Sequence, residues 1–274
     1  MRTEPRRISS WFIGGTLALT ASALSACGPK TPSVQPHVQT TDTVRVLTYN
    51  IHHAEGMDEV LDLGRIAALI EALDPDLVAL QEIDSVTTRT GAVDQAAELG
   101  RLTGLAHIFG SFMPYEFGSY GMAVLSRWPI EGSLNLRLPD GDEPRTALSA
   151  TVVSPRTGQR VRFVGIHFYR SEDERLAQAT RLEAYLESDT IPTILAGDFN
   201  STPGSGVMNL LRESWAVVDK GRDRLTYSSF DPVREIDFVL FRPRDRFAVL
   251  NQWLVDDPVA SDHRPVVVDF EIRR

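Results

Sequence analysis

The sequence predicts an α+β domain in which β-sheets pack together and helices lie outside. Three observations carry that reading. Strand-like runs outnumber helical ones, the two types are interleaved in places and clustered in others, and no Gly/Pro-rich break divides the middle of the chain. One core layered from sheets and helices satisfies all three. The chain has 274 residues, 42% hydrophobic and 24% charged, an ordinary globular composition. A chain of that size buries roughly 70–75% of its unfolded surface and needs no covalent staple.

Each element has its own signal. Val44 to Asn50 is rich in β-branched and aromatic residues and predicts a strand. Ile66, Leu69, Ile70 and Leu73 recur at helical spacing, and Asp74-Pro75 ends that helix. Leu77 to Gln81 is a short apolar strand. A second helix over about Asp94 to Thr103 carries Ala97, Leu99 and Leu102. Strands follow at Met122–Leu125, Ala147–Val153 and Val161–Phe168. A long helix then places Leu176, Ala179, Leu182 and Leu186 on one stripe. Ile194–Ala196, Ile236–Phe241, Phe247–Leu254 and Val266–Ile272 supply the remaining strands.

Residues 1–27 read differently. Arg2, Arg6 and Arg7 precede an apolar run from Trp11 to Leu24, which ends in Leu24-Ser25-Ala26-Cys27. A positive start, an apolar middle and small residues before a cut predict a secretory signal peptide. The run is short for a membrane span, which needs ~20 residues. Leu-Ser-Ala-Cys also resembles the lipobox of bacterial lipoproteins, which implies an acylated Cys27. The competing reading is a core helix with a chance cysteine, yet the one cysteine in the chain sits where the lipobox needs it. Residues 28–42 are rich in Pro, Thr, Gln and Ser and read as a flexible tether. The expectation is an exported, membrane-anchored protein whose folded domain spans residues 43–274, facing the periplasm or the exterior.

The formal net charge is −9. Removing residues 1–27 takes away three Arg and one Glu, which leaves 25 basic and 36 acidic residues. That balance argues against a dedicated nucleic-acid coater, which relies on a basic surface. A monomer is expected.

Polar residues recur at the ends of the apolar strands. Asn50 closes the first, Glu82 follows Leu77–Gln81, and His167 lies near the end of Val161–Phe168. Asp198 and Asn200 follow Ile194–Gly197, Asp237 opens the next strand, and Asp262-His263 precedes the last. A single such carboxylate is a cap or a solvated turn. Repetition at so many strand ends is what a shared metal or acid–base site requires. Carboxylate and amide oxygens without an available thiolate suit Mg²⁺, with Mn²⁺ or Ca²⁺ as alternatives, rather than zinc. The sequence has no His-Glu-x-x-His, Cys-x-x-Cys, phosphate-loop or Gly-x-Ser-x-Gly motif. Two carboxylate–imidazole pairs are available for proton transfer, Asp237 with His263 the better of them.

These residues also carry a family resemblance. Thr48-Tyr49-Asn50-Ile51, Gln81-Glu82, Gly121-Met122-Ala123-Val124-Leu125-Ser126-Arg127, Gly165-Ile166-His167, Gly197-Asp198-Phe199-Asn200, Ile236-Asp237-Phe238 and Ser261-Asp262-His263-Arg264-Pro265 resemble, in order, the motif series of the endonuclease/exonuclease/phosphatase superfamily. That group includes DNase I-like nucleases, neutral sphingomyelinases and inositol polyphosphate 5-phosphatases. The resemblance implies a four-layer sandwich, two mixed sheets face to face with helices outside, and a site at one edge. It implies Glu82 as the principal metal ligand, helped by Asn50 and Asp262. Asp198 then orients or deprotonates the attacking water, and Asn200 hydrogen-bonds that water or a phosphate oxygen. His263, oriented by Asp237, becomes a general base or a transition-state clamp, and His167 donates to the phosphate or leaving group.

Other residues are weighed beside these. Tyr120 and Arg145 are candidate substrate contacts, against a packing role for the tyrosine and an exposed position for the arginine. His52 and His53 read as loop residues, and Trp128 and Trp215 as core aromatics. The function expected is a metal-dependent phosphoesterase, most naturally a phosphodiesterase, with nuclease and phospholipid or inositol phosphate hydrolase as substrate alternatives. The competing class is an inactive binding lipoprotein of the same fold. Retention of several carboxylates without a cation would leave them repelling one another, which favours the enzyme.

Overall fold

The computed structural model describes residues 42–273. The expected leader, Cys27 and residues 28–41 of the tether lie outside the described residues. The elements run β1 (Asp42–Asn50), α1 (Leu63–Leu73), β2 (Leu77–Ser85), α2 (Gln95–Thr103), β3 (Ala106–Tyr115), β4 (Gly118–Ser126), β5 (Ile130–Arg137), β6 (Thr146–Val153), β7 (Arg160–His167), α3 (Glu172–Leu186), β8 (Thr193–Asp198), α4 (Gly206–Arg212), β9 (Ala216–Val217), β10 (Asp237–Arg242), β11 (Phe247–Leu254) and β12 (Val266–Ile272). The described residues all fall within one compact unit.

The strands form two six-stranded sheets, ordered β11-β12-β1-β2-β4-β3 and β5-β6-β7-β8-β10-β9. Both are mixed, because β1 with β2 and β7 with β8 are parallel while their neighbours are antiparallel. Side chains alternate across a strand, and β1 shows the consequence. Val44 and Val46 enter the layer between the sheets, whereas Leu47 and Tyr49 face α1 and α2. Three apolar clusters result: one between the sheets, one under α1 and α2, and one under α3 and α4. This is the expected α+β four-layer sandwich.

The helix ends follow local chemistry. Asp62 and Asp94 accept backbone N–H groups of Arg65 and Ala97 and so cap α1 and α2. Gly104 closes α2 in the left-handed conformation, φ 70°, that glycine tolerates best.

Several details differ from expectation. β3 and β5 were not anticipated. They lie at sheet edges, β3 partly and β5 largely exposed to solvent, so they lack the apolar run that marks a central strand. The short α4 was also missed. In α3, Leu176 is exposed, and the buried stripe runs through Gln178, Ala179, Leu182 and Leu186 instead. Gln178 is tolerated there because its side-chain oxygen accepts the Tyr169 N–H.

Candidate active site

The two parallel strand pairs set the site. In the β1–β2 register Asn50 lies beside Gln81, and in the β7–β8 register His167 lies beside Asp198. Parallel strands put their carboxyl ends at one edge, where α/β sheets characteristically bind ligands. The antiparallel strand β10 starts at that edge, with Asp237 directly opposite Asp198. The turn before β12 brings Asp262 and His263 there as well. A cleft of about 1150 Å³ opens at this edge, lined by Glu82, Tyr120, Arg145, His167, Asp198, Asn200, Asp262 and His263 among others.

Glu82 reaches the cleft through a bulge. Its φ is 59°, a value unfavourable for a side-chain-bearing residue, and the β2–β4 register shifts between Gln81 and Ile83. Leu77 and Ala79 face the inter-sheet layer, yet Ile83 faces the helices with Val78 and Leu80. The alternation breaks at Glu82, which frees its carboxylate from the helix layer. Such strain recurs at functional sites.

Asn50 ties the centre together. Its Nδ2 donates to Glu82 Oε1 at 3.0 Å and to Asp198 Oδ2 at 3.3 Å, and lies 3.5 Å from His263 Nε2. Its Oδ1 accepts the His52 N–H at 3.1 Å, so in this arrangement the amide oxygen does not face Glu82.

His263 Nδ1 is 2.9 Å from Asp237 Oδ2, and its Nε2 is 3.7 Å from Asp198 Oδ2. Burial lowers the affinity of this imidazole for a proton. The charge and hydrogen bond of Asp237 outweigh that, with help from Asp198 and Asp262, and the imidazole is held protonated. Asp198 is itself pushed above the usual carboxylate range by burial and by the Asp237 charge. Its Oδ1 accepts the Asn200 N–H at 2.8 Å. His167 Nε2 stands 3.5 Å from Asp198 Oδ2, and burial, Arg145, His263 and Arg170 hold this second imidazole neutral.

The remaining candidates divide. Asn200 lines the cleft, but its Nδ2 is committed to the Phe168 carbonyl at 2.9 Å. Asp262 lines the cleft half-buried and accepts weakly from Ser261 Oγ at 3.4 Å. Tyr120 both packs edge-on against Phe112 and lines the cleft. Arg145 is not exposed. Its guanidinium lies over Phe112, Tyr120 and Tyr169 at 5.0, 5.8 and 5.4 Å, paired with Glu143. Its Nε is buried without a partner among the described residues. Trp128 and Trp215 are core residues. His52 and His53, read from sequence as loop residues, form a short 3-10 turn with Ala54 and bring ring nitrogens within 4.8 Å of the Glu82 carboxylate.

Two contributors had no sequence signal. Arg89 sits in a polar loop and is fixed by two hydrogen bonds to the fully buried Asp84, at 2.6 and 2.8 Å, over the Tyr115 ring. Tyr227 lies against the His263 ring at 4.9 Å. Both line the cleft.

The donor set fits a hard divalent cation. Glu82 and Asp262 present oxygen at the cleft wall, and Asp198, Asp237 and His263 form a compact group within 4.8 Å just inside. One oxygen of Asp237 is buried without a partner among the described residues, and Asp198 is raised in part by Asp237 and Glu82. A nearby positive charge relieves that crowding.

Comparison with known proteins agrees with this geometry. The model of the endonuclease/exonuclease/phosphatase family matches residues 47–263. Over 167 residues the chain is 30% identical to the uncharacterized protein YbhP of Escherichia coli K12, a match covering 57% of this chain and just under two thirds, 66%, of that protein. The crystal structure of an endonuclease/exonuclease/phosphatase from Beutenbergia cavernae superposes with a TM-score of 0.69 at 25% identity, covering 84% of this chain and 72% of that one. The mannosyl-6-phosphatase Bt3783 of Bacteroides thetaiotaomicron shares the fold, with a TM-score of 0.66 at 18% identity over 83% of this chain and 99% of its own. The chain therefore belongs to the endonuclease/exonuclease/phosphatase family, whose members are divalent-metal-dependent hydrolases of phosphate esters.

Proposed function

We propose that this protein hydrolyses a phosphodiester by in-line attack of water, with magnesium as the preferred cation. The observation that carries the reading is the convergence of four separate stretches of chain: Asn50 Nδ2 lies 3.0 Å from Glu82, 3.3 Å from Asp198 and 3.5 Å from His263, and His263 lies 3.7 Å from Asp198.

Glu82 and Asp262 are the residues assigned to hold the cation, and Asn50 orients Glu82; turning the amide over would add its oxygen to the set. Such a cation, when bound, supplies positive charge to the ester's oxygens as the transition state builds negative charge. Asp198 orients the attacking water and accepts its proton, a task for which a carboxylate raised above its usual range is the better base. His263, kept protonated by Asp237, donates from Nε2 to a phosphoryl oxygen. His167 is neutral and contributes a hydrogen bond rather than a charge. Arg145, immobilised among three rings, offers its guanidinium to the same phosphate. Asn200 holds Asp198 through its backbone N–H. The test is hydrolysis of soluble aryl phosphodiesters and monoesters in magnesium and in chelator. Magnesium-dependent cleavage with diesters preferred is expected; failure to cleave any ester with any divalent cation contradicts the proposal.

The same proposal keeps the exported, lipid-anchored state expected from residues 1–27. Fatty-acyl labelling is then expected on the unaltered protein and absent from Cys27→Ser, and an unaltered protein that takes up no acyl label refutes the lipid anchor.

A further inference from the structure

Two apolar tips stand at the mouth of the cleft. The first is Phe117, which is 99% exposed. It lies in the two-residue turn joining β3 to β4, where Tyr115 pairs with Gly118 and both turn residues have positive φ, 42° for Glu116 and 66° for Phe117. Turns of this kind favour Asn-Gly, because side-chain-bearing residues are strained there. A phenylalanine in that position buries nothing and strains the backbone, so fold stability does not explain it. The turn is also braced. Thr88 N–H donates to the Glu116 carbonyl, and Gly118 packs so closely on the Ser85–Thr87 backbone that a side chain has no room. Val86 and Val93, both exposed, share this corner.

The second tip carries Phe230, 78% exposed, and Val233, 65% exposed. Its turn is closed by Tyr227, whose carbonyl accepts the N–H groups of Val233 and Arg234. Tyr115, Tyr227 and Arg234 all line the cleft, so both tips rise directly from its wall. The cleft wall carries five arginines, Arg89, Arg145 and Arg234 among them, beside five carboxylates that include the cation-holding Glu82 and Asp262. Exposed apolar groups rimming a polar pocket mark an interaction surface.

We propose that this rim docks on a phospholipid bilayer. Phe117 and the Phe230–Val233 turn insert among the lipids, and the arginine-lined cleft receives a phosphodiester headgroup. The inference rests on the hydrolase reading for its substrate, but the docking surface stands on the two tips. Charge complementarity chooses the occupant: the arginines suit a phosphate group, while Glu116 and Asp231 beside the tips and the excess of 36 acidic over 25 basic residues beyond residue 27 disfavour a strongly anionic surface. Insertion is therefore driven by apolar burial rather than by charge. No described helix is long and apolar enough to cross a membrane; the contact proposed is made by the two tips. Hydrolysis there needs only water: its oxygen joins phosphorus, one P–O ester bond breaks, and the departing alcohol oxygen takes a proton.

The test uses the chain from Gln39 to Arg274, a compact unit that carries the whole sandwich and neither Cys27 nor the apolar leader. Cosedimentation with phosphatidylcholine vesicles is measured at low and high salt, beside turnover on a soluble aryl phosphodiester. The parent is expected to bind vesicles with little salt dependence. The combined variant Phe117→Ser, Phe230→Ser, Val233→Ser is expected to lose vesicle affinity at least tenfold, with soluble turnover unchanged within about twofold. Phe117→Gly suits the turn better than phenylalanine, so it weakens vesicle binding without a folding defect. A parent that ignores vesicles, variants that bind like the parent, or a parent that binds a DNA duplex in place of vesicles would each overturn the docking surface. Tip-dependent vesicle binding without hydrolysis of any ester supports the docking surface and removes the hydrolase reading alone.

Discussion

Asp198 and Asp237 are directly opposite residues on adjacent antiparallel strands, both buried, and one imidazole serves them. His263 touches Asp237 through Nδ1 at 2.9 Å and approaches Asp198 through Nε2 at 3.7 Å. Two carboxylates at such close quarters oppose each other's ionisation. The protonated ring resolves the conflict unequally, since it is hydrogen-bonded to Asp237 and leaves Asp198 as the acceptor facing the cleft.

That asymmetry gives a pH prediction for the protein in chelator. The His263 pKa is raised from 6.5 to about 10. A group with a raised native pKa binds more protons folded than unfolded, so its stabilising contribution is complete below about pH 6.5 and is lost as pH rises toward about 10. Denaturant unfolding at pH 6 and pH 9 should show the native protein losing stability across that window. Asp237→Asn should flatten the loss, and an equal slope in the variant would remove Asp237 as the cause.

Glu82 occupies a strained bulge with its carboxylate at the cleft wall. Glu82→Gln keeps the shape and removes the charge. The magnesium concentration for half-maximal activity should rise at least tenfold, within the range seen when metal-site contacts are lost. An unchanged metal titration would exclude Glu82 from holding the cation.

Arg145 is pinned over three aromatic rings with a buried Nε lacking a partner among the described residues. Lysine carries the charge but neither the planar fork nor the stacking. Arg145→Lys should raise KM roughly tenfold or more, with a smaller effect on kcat, as expected for a lost charge-assisted contact worth about 1.5–3 kcal/mol. Unaltered kinetics would assign the arginine to packing alone.

The sequence exposed the central strands and their polar termini because those strands are buried on both faces and read as continuous apolar runs. Asn50, His167, Asp198 and Asp237 could be located for that reason: each sits at the end of such a run. Edge strands β3 and β5 were illegible, since partial exposure mixes polar with apolar residues. Arg89 was invisible for a different reason. Its orientation comes from Asp84 and Tyr115, and nothing in the polar loop around it encodes that pairing. Asn50 shows a further limit. Its position was evident, yet the way its amide turns, nitrogen toward Glu82 and Asp198, depends on neighbours more than 30 residues away in the chain.

The most direct measurement is turnover of Asp198→Asn on a soluble phosphodiester in saturating magnesium, with circular dichroism and thermal unfolding recorded beside it. The asparagine keeps the volume and cannot accept the proton of the attacking water. A fall of at least a hundredfold with the fold intact is the result expected for loss of an acid–base group. Turnover within a few-fold of the unaltered protein would contradict water activation at Asp198.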